Sequence, residues 1–243
     1  MLGFKLSYKA YGDRAILVEW PKLIAEDILK DVLNFKEKIK ASDLENIAEI
    51  RSAYQSLLII FDAAFSFETE VKSLQNLYKT ETKSLELQST LWRIPVCYDA
   101  SFGLDLDAIS DAKNISKTDL IKRHTQAIYS IYFIGFLPGF LYLGGLDEVL
   151  WTPRKATPRM KIAKGAVAIG GNQTGIYPTE SPGGWNIIGN SPIDFFNLNN
   201  ERPCFSKAGD RIQFYAVSLK EYHDIKVLVE ANVYQIEKEV GDD

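Results

Sequence analysis

The 243-residue sequence predicts two architectures in tandem, a small α+β layer followed by a mainly-β unit that closes or folds over on itself. Three observations predict this. Up to Tyr98 the apolar periodicity switches in the order β-β-α-β-β-α-β. Between Gly135 and Pro192 lie 11 of the 16 glycines and six of the nine prolines, a density that breaks helices but suits short strands and tight turns. The polar stretch Lys79 to Thr90 separates the two regions, so residues 1–88 are expected to form the α+β domain and residues 89–243 the β-rich one.

The elements follow in order. Phe4 to Tyr11 alternates, with Phe4, Leu6, Tyr8 and Ala10 on one face, as a half-buried strand requires. Gly12-Asp13 turns the chain into a second strand, Ala15 to Trp20. Pro21 suits the start of a helix, and Ile24, Ile28, Val32, Phe35 and Ile39 then fall on one helix face. Ile47 to Tyr54 and Ser56 to Phe61 read as strands. Phe67, Val71, Leu74 and Tyr78 mark a second amphipathic helix, and Leu91 to Tyr98 another strand, ended by the Asp99 to Gly103 turn.

Further on, Ser116 caps a helix with Asp119 at the reciprocal position and Ile115 stapling to Leu120; this helix carries Arg123 and His124. Tyr129 to Phe133 resumes as strand. Beyond the glycine-rich segment, Ile193 to Leu198 and Arg211 to Ala216 are expected strands, Ser218 to His223 a short helical turn, and Ile225 to Ile236 a final strand.

Composition narrows the function. Hydrophobic residues make up 46% and charged residues 25%, as in ordinary globular proteins. The net charge of −4 argues against nucleic acid as a partner. The uncharged stretch Ile131 to Leu146 carries Pro138 and four glycines, which a spanning helix would not hold so densely, so no membrane association is expected. Cys97 and Cys204 lie far apart without CxxC spacing. With no secretory segment at the N-terminus, they read as thiols in a reducing, cytoplasmic setting, without a metal site. No GxGxxG follows a strand. Gly170 to Gly175 has phosphate-loop spacing, but Ile176 stands where the lysine is required. GxSxG, HExxH and EF-hand patterns are absent too.

The residues that could carry chemistry cluster in the glycine-rich segment. Gly135-Phe-Leu-Pro-Gly-Phe-Leu-Tyr-Leu-Gly-Gly145 places Phe136, Pro138 and Phe140 among glycines that permit close backbone approach, as in a core strand pair or a pocket floor. Arg154, Lys155, Arg159, Lys161 and Lys164 are five cations in eleven residues with no acid among them, stiffened by Pro153 and Pro158. Either a solvated loop or an anion site fits this pattern; Arg159 is the best single ligand for a carboxylate, because a guanidinium can grip it with two parallel hydrogen bonds. Gln173, Thr174, Tyr177 and Glu180 are polar groups in a turn-rich stretch. The glycines at 170, 171, 175, 183 and 184 could present N–H groups as an anion nest. His124 lies on the capped helix and reads as a structural hydrogen-bonder or a catalyst, and His223 as an exposed residue.

Four linked motifs then carry a resemblance: Gly135-Phe-Leu-Pro-Gly-Phe-x-Tyr-Leu-Gly-Gly-Leu146, Thr157-Pro-Arg159, Gln173-Thr-Gly-Ile-Tyr-Pro178 and Ser181-Pro-Gly-Gly-Trp185. Together with Tyr11-Gly-Asp-Arg-Ala15, Tyr54-Gln-Ser-Leu57, Ile94-Pro-Val-Cys-Tyr98 and Lys207-Ala-Gly-Asp-Arg211, the sequence resembles the family of the B-type 5-oxoprolinase subunits, allophanate hydrolase subunit 1 and the Kip-type sporulation-kinase inhibitors. Leu141 departs from the proline common at its position, and Asn172 from a glycine.

The resemblance implies that the C-terminal domain is a cyclophilin-like β-barrel, related to one half of a carboxyltransferase region. The implied activity is that of an ATP-dependent lactam hydrolase. Inactive alone, the chain would work with a carboxyltransferase-like second subunit and a third 5-oxoprolinase subunit, opening 5-oxoproline (pyroglutamate) to L-glutamate. ATP with Mg would be bound by the assembled complex. Inhibition of a sensor histidine kinase, and a role on allophanate or urea-derived substrates, are the alternatives. Carried over by position, the catalytic candidates are His124, Arg159 and Glu180; the substrate-binding candidates are Gln173, Thr174, Tyr177, Phe136, Pro138, Phe140, Gly183 and Gly184.

Overall fold

The structure, a computed structural model, describes residues 3–80 and 88–241. Residues 81–87 of the polar stretch expected to divide the chain lie outside the described residues. The chain separates into two compact units, Met1–Leu87 and Gln88–Asp242.

The first unit is a four-stranded antiparallel sheet in the order β1-β2-β4-β3, formed by β1 (Ser7–Ala10), β2 (Ala15–Glu19), β3 (Ile47–Ala53) and β4 (Ser56–Phe61). Two helices, α1 (Glu26–Lys40) and α2 (Phe67–Lys79), complete it. The helical stripe of Ile28, Val32, Phe35 and Ile39 packs with Ile16, Val18, Leu57 and Ile59 from the strands, as the period predicts. Helix α1 begins at Glu26, later than Pro21 suggests, and Pro21 to Ala25 runs irregularly.

In the second unit seven strands form a closed barrel. They are β5 (Ser89–Cys97), β6 (Ile128–Ile134), β7 (Leu141–Gly144), β9 (Ala166–Gly170), β10 (Gln173–Ile176), β12 (Asn186–Asn190) and β13 (Arg211–Val217). Their order is β12-β9-β10-β7-β6-β13-β5, and β5 returns to β12 through the pair Asn190–Cys97. β14 (Lys238–Gly241) adds to the other end of β5. β8 (Arg159–Ile162) and β11 (Ser181–Gly183) make a separate two-stranded sheet. Three helices accompany the strands: α3 (Leu106–Lys113), α4 (Lys117–Gln126) and α5 (Leu219–Glu230).

Alternation along the strands gives the barrel two apolar layers. Leu141, Leu143, Val167, Ile169, Ile176 and Ile188 belong to its main core with Ile94, Val96 and Phe214. Their neighbours Phe140, Ala166, Ala168, Tyr177 and Ile187 pack on the opposite face with Trp185. Both layers are buried, which explains why β9 and β12 are closed to solvent along their whole length.

Two expected strands do not form. In place of a final strand over Ile225 to Ile236, α5 runs through to Glu230. Ser218 and Glu221 make a full capping box, and Tyr222, Ile225 and Val229 follow at helical spacing, so the period of 3.6 wins over β-branched content. Ile193 to Leu198 stays irregular: Ile193 and Phe195 bury their side chains, yet the backbone joins no strand ladder. Helix α3 is an addition to the expected elements; Leu106 and Ile109 anchor it, and Asn114 ends it in the left-handed conformation.

Barrel closure requires a glycine at one point. The register of β12 shifts between Ile187 and Gly189, where a Cβ on Gly189 would lie 2.8 Å from the Cys97 carbonyl oxygen and 2.9 Å from the Val96 side chain. Gly189→Ala is therefore expected to destabilise the barrel unit by about 1–3 kcal/mol. Urea unfolding checks the size, and faster amide exchange in β5 and β12 than elsewhere in the barrel checks the place.

Candidate functional site

The glycine-rich segment builds an aromatic shelf on the second apolar face. Phe140 meets Tyr177 edge-on with centroids 5.2 Å apart and Trp185 at 5.6 Å, while Tyr142 stacks on Phe133 at 4.3 Å. The Arg154 guanidinium sits 5.6 Å from the centre of the Trp185 ring. Phe136 stands at the edge, 64% exposed, with a positive φ of 65° and its ring 5.6 Å from Phe140. Pro138 is exposed beside it.

The glycines expected to form an anion nest serve this shelf instead. A Cβ on Gly170 would lie 2.5 Å from the Trp185 ring, and one on Gly183 would lie 2.3 Å from the Tyr177 hydroxyl. Gly175 is squeezed between the Leu141 carbonyl oxygen and Trp185. The Gly171 N–H donates to the Thr152 carbonyl oxygen at 2.7 Å, and Gly184 offers its carbonyl to the Lys155 N–H at 2.7 Å. Room for rings, not a cradle of free N–H groups, is what these positions provide.

Acids from elsewhere in the chain pair with four of the five cations of the loop. Asp105, buried just before α3, accepts from Arg159 Nη1 and Nη2, each at 2.8 Å, and from Lys155 Nζ at 2.8 Å. It also accepts from the Ile187 N–H at 2.7 Å, and its own N–H donates to the Ile187 carbonyl at 2.8 Å. Burial pushes its pKa up, but the hydrogen bonds from Arg159, Lys155 and Ile187 and the Arg159 charge outweigh that, holding the carboxyl below its usual range. The bond to Asp105 raises the Arg159 pKa further. Lys161 pairs with Glu180 at 3.0 Å and Lys164 with Asp194 at 3.0 Å, both near the surface.

Arg159 and Glu180 meet at a cleft of about 270 Å³. Phe102, Leu104, Ile162, Ala163 and Ile187 give it apolar walls, and Lys161 and Asn190 complete its polar edge. The buried Asn190 is fixed by donating to the Lys164 carbonyl at 2.9 Å and accepting from the Tyr222 hydroxyl at 2.9 Å.

His124 and Thr174 lie elsewhere, inside the barrel, and His124 has no exposed surface. Thr174 Oγ1 donates to the Ala168 carbonyl at 3.0 Å, so it accepts from His124 Nε2–H at 2.9 Å. His124 Nδ1 then accepts the Tyr98 O–H at 2.7 Å, a hydroxyl that burial keeps protonated. The ring stacks on Phe214 at 4.7 Å. His124 is thus a hydrogen-bonded pin between α4, the end of β5 and β10, with both nitrogens engaged away from the cleft. Gln173 is buried at the start of β10.

The family model for the carboxyltransferase domain, subdomain C and D, matches residues 6–206. The chain belongs to this family. Among its relatives, the B-type 5-oxoprolinase subunit of Bacillus subtilis is 31% identical over 226 residues, covering 88% of this chain and 94% of that one. Its counterpart in Haemophilus influenzae is 39% identical over 170 residues, covering 70% and 79%. The Kluyveromyces lactis urea amidolyase superposes with a TM-score of 0.82 over 98% of this chain at 22% identity, a likeness of fold. The chain spans 16% of that protein and 40% of another solved structure of similar fold.

Within this carboxyltransferase-type fold the sequence identifies the cations but not their counterion. Asp105 sits outside the motifs; its signal is indirect, since five clustered cations among apolar residues demand an acid from somewhere. Among the described residues no group of three or more His, Cys, Asp or Glu is placed to hold a metal, and the walls of the cleft are largely apolar. Among the described residues no helix is long and apolar enough to cross a membrane.

The buried histidine sets the acid response of this family member. Burial lowers the His124 pKa from 6.5 to about 3. Between these values the unfolded chain binds a proton that the folded chain refuses, so stability falls as pH drops from about 6.5 towards 3. The contribution approaches ~1.4 kcal/mol per pH unit. Asp105, with its lowered pKa, acts in the same direction, its contribution being lost as pH falls below the unfolded carboxylate value. Urea unfolding from pH 7 to 5 is expected to show this slope in the native chain and a shallower one in His124→Gln; equal slopes would contradict the assignment.

Proposed function

We propose that this chain is the B-type subunit of an ATP-dependent 5-oxoprolinase, opening 5-oxoproline to L-glutamate together with a carboxyltransferase-like second subunit and a third subunit. One observation carries the reading: the match to the Bacillus subtilis 5-oxoprolinase component extends over 94% of that protein, through both units of this chain. The arrangement of the site supports a shared rather than a self-contained centre. His124 and Thr174 are locked inside the barrel, and Arg159 is bound to Asp105, so these groups hold and orient. The exposed Phe136 and Pro138 at the edge of the aromatic shelf offer apolar surface to a partner. ATP and Mg belong in this reading to the assembled complex, and no step through them is assigned to this chain.

Reconstitution tests it. Mixed with active partner subunits, the chain is expected to support ADP release that depends on 5-oxoproline, and to show none by itself. An intact complex without turnover would overturn the reading. Recovery from extract of a sensor histidine kinase, with no carboxyltransferase-like protein, would favour the inhibitor role in its place.

A further inference from the structure

The cleft beside Asp105 combines features that select one class of ligand. Its walls are apolar: Leu104, Phe102, Ile162, Ala163 and Ile187. Arg159 is its charged corner, held from behind the lining in a triad with Asp105 and Lys155. Asp105 carries one negative charge and Lys155 and Arg159 one positive charge each, so the cluster keeps an excess of one positive charge beside a low-dielectric wall. The rim pair Lys161–Glu180 is neutral in sum. A monoanion with a compact apolar body satisfies both the walls and the excess charge. A volume of about 270 Å³ suits a small ligand; pockets for drug-sized ligands run from about 300 to 1,000 Å³.

The hydrogen-bond geometry gives Arg159 a second use. Asp105 takes the guanidinium end-on, through one N–H of each terminal nitrogen. That leaves the side edge, Nε–H with the outer N–H of a terminal nitrogen, as a second fork of the width a carboxylate accepts. The same bidentate pairing freezes the guanidinium plane, so a ligand would meet a donor pair already oriented and lose less entropy in ordering it. The Ile187 N–H ties Asp105 to β12, which also supplies Ile187 to the cleft wall. Wall and fork are therefore positioned by one carboxylate.

We infer that this cleft is the subsite for a small organic monocarboxylate whose ring or chain turns CH2 groups to the apolar walls, gripped by the free edge of Arg159, with Asp105 as the positioning residue. The identification of that acid as 5-oxoproline rests on the proposed function; the class of ligand does not.

Three probes separate the contributions in the isolated full-length chain: 5-oxoproline, cyclopentanecarboxylate, which keeps ring and carboxylate but lacks the lactam, and 2-pyrrolidinone, which keeps the lactam but lacks the carboxylate. In protein NMR titrations the two carboxylates are expected to shift the Arg159 Nε–H signal and the methyl signals of Leu104 and Ile187, and 2-pyrrolidinone to leave Arg159 Nε–H unmoved. Arg159→Lys keeps the charge but loses the fork, and is expected to weaken carboxylate binding at least tenfold. Ala163→Phe, which fills the cleft without touching the triad, is expected to do the same in a chain with native thermal stability. In the reconstituted complex both variants should raise KM for 5-oxoproline and leave KM for ATP unchanged. Carboxylate shifts confined to other residues, or unchanged binding in Ala163→Phe, would overturn the subsite. A complex that turns over normally with both variants would overturn it while leaving the proposed function intact; an inactive native complex with carboxylate binding in the cleft would do the reverse.

Discussion

The buried carboxylate of Asp105 is the contact on which the C-terminal unit depends most. Four donors converge on it: two from Arg159, one from Lys155 and one from the Ile187 N–H. A carboxylate removed from water is costly unless its charge is matched and its lone pairs are filled. Here both conditions hold, and the partners come from three separated parts of the sequence. The start of α3, the cationic loop and β12 are thereby fixed to one point. Loss of the carboxylate would leave two cations facing an apolar wall. The contact adds specificity of arrangement more than net stability, because an apolar triad of similar volume could pack as well but would not orient a guanidinium.

A second constraint acts around this point. Aromatic rings of the shelf press against backbone so closely that Gly170, Gly175 and Gly183 leave no room for a methyl group. The barrel thus presents large rings on one face of strands whose other face fills the core. The strands between are buried on both sides, and their side chains are small where a ring must lie flat, as at Ala166 and Ala168. Rigidity follows from this packing at Phe140, Tyr177 and Trp185, whose rings lie against glycine backbone.

Much of this is legible in the sequence, for identifiable reasons. Helices with a long apolar stripe, such as α1, follow directly from period because each buries one face, and Ser56–Phe61 follows from a short β-branched and apolar run bounded by turns. The barrel is legible as a class through glycine and proline density, yet its closing pair Asn190–Cys97 joins residues that no local pattern relates. The last turns of helix α5 read as a strand because Val227, Leu228 and Val229 form a continuous apolar run; the capping box at Ser218 is the better signal. At the site, the cations are visible and their role is not. Whether Arg159 is free or paired depends on Asp105, 54 residues away in sequence. His124 shows the same limit: helical context marks it, but only the fold shows Tyr98 and Thr174 on either side of its ring.

Hydrogen-bond saturation has a consequence for how such a subunit works. A general base needs a lone pair within reach of the proton it takes. The lone pair of His124 Nδ1 is occupied by the Tyr98 hydroxyl, in a place with no exposed surface. Asp105, the carboxylate that grips Arg159, has its oxygens filled by four donors. Glu180 is accessible at the rim, but there it is held by Lys161. His124 and Asp105 cannot gain a proton without breaking the contacts that hold the fold, whereas they can orient their neighbours at no such cost. In the proposed assembly, then, His124 and Asp105 contribute shape and fixed charge rather than proton transfer.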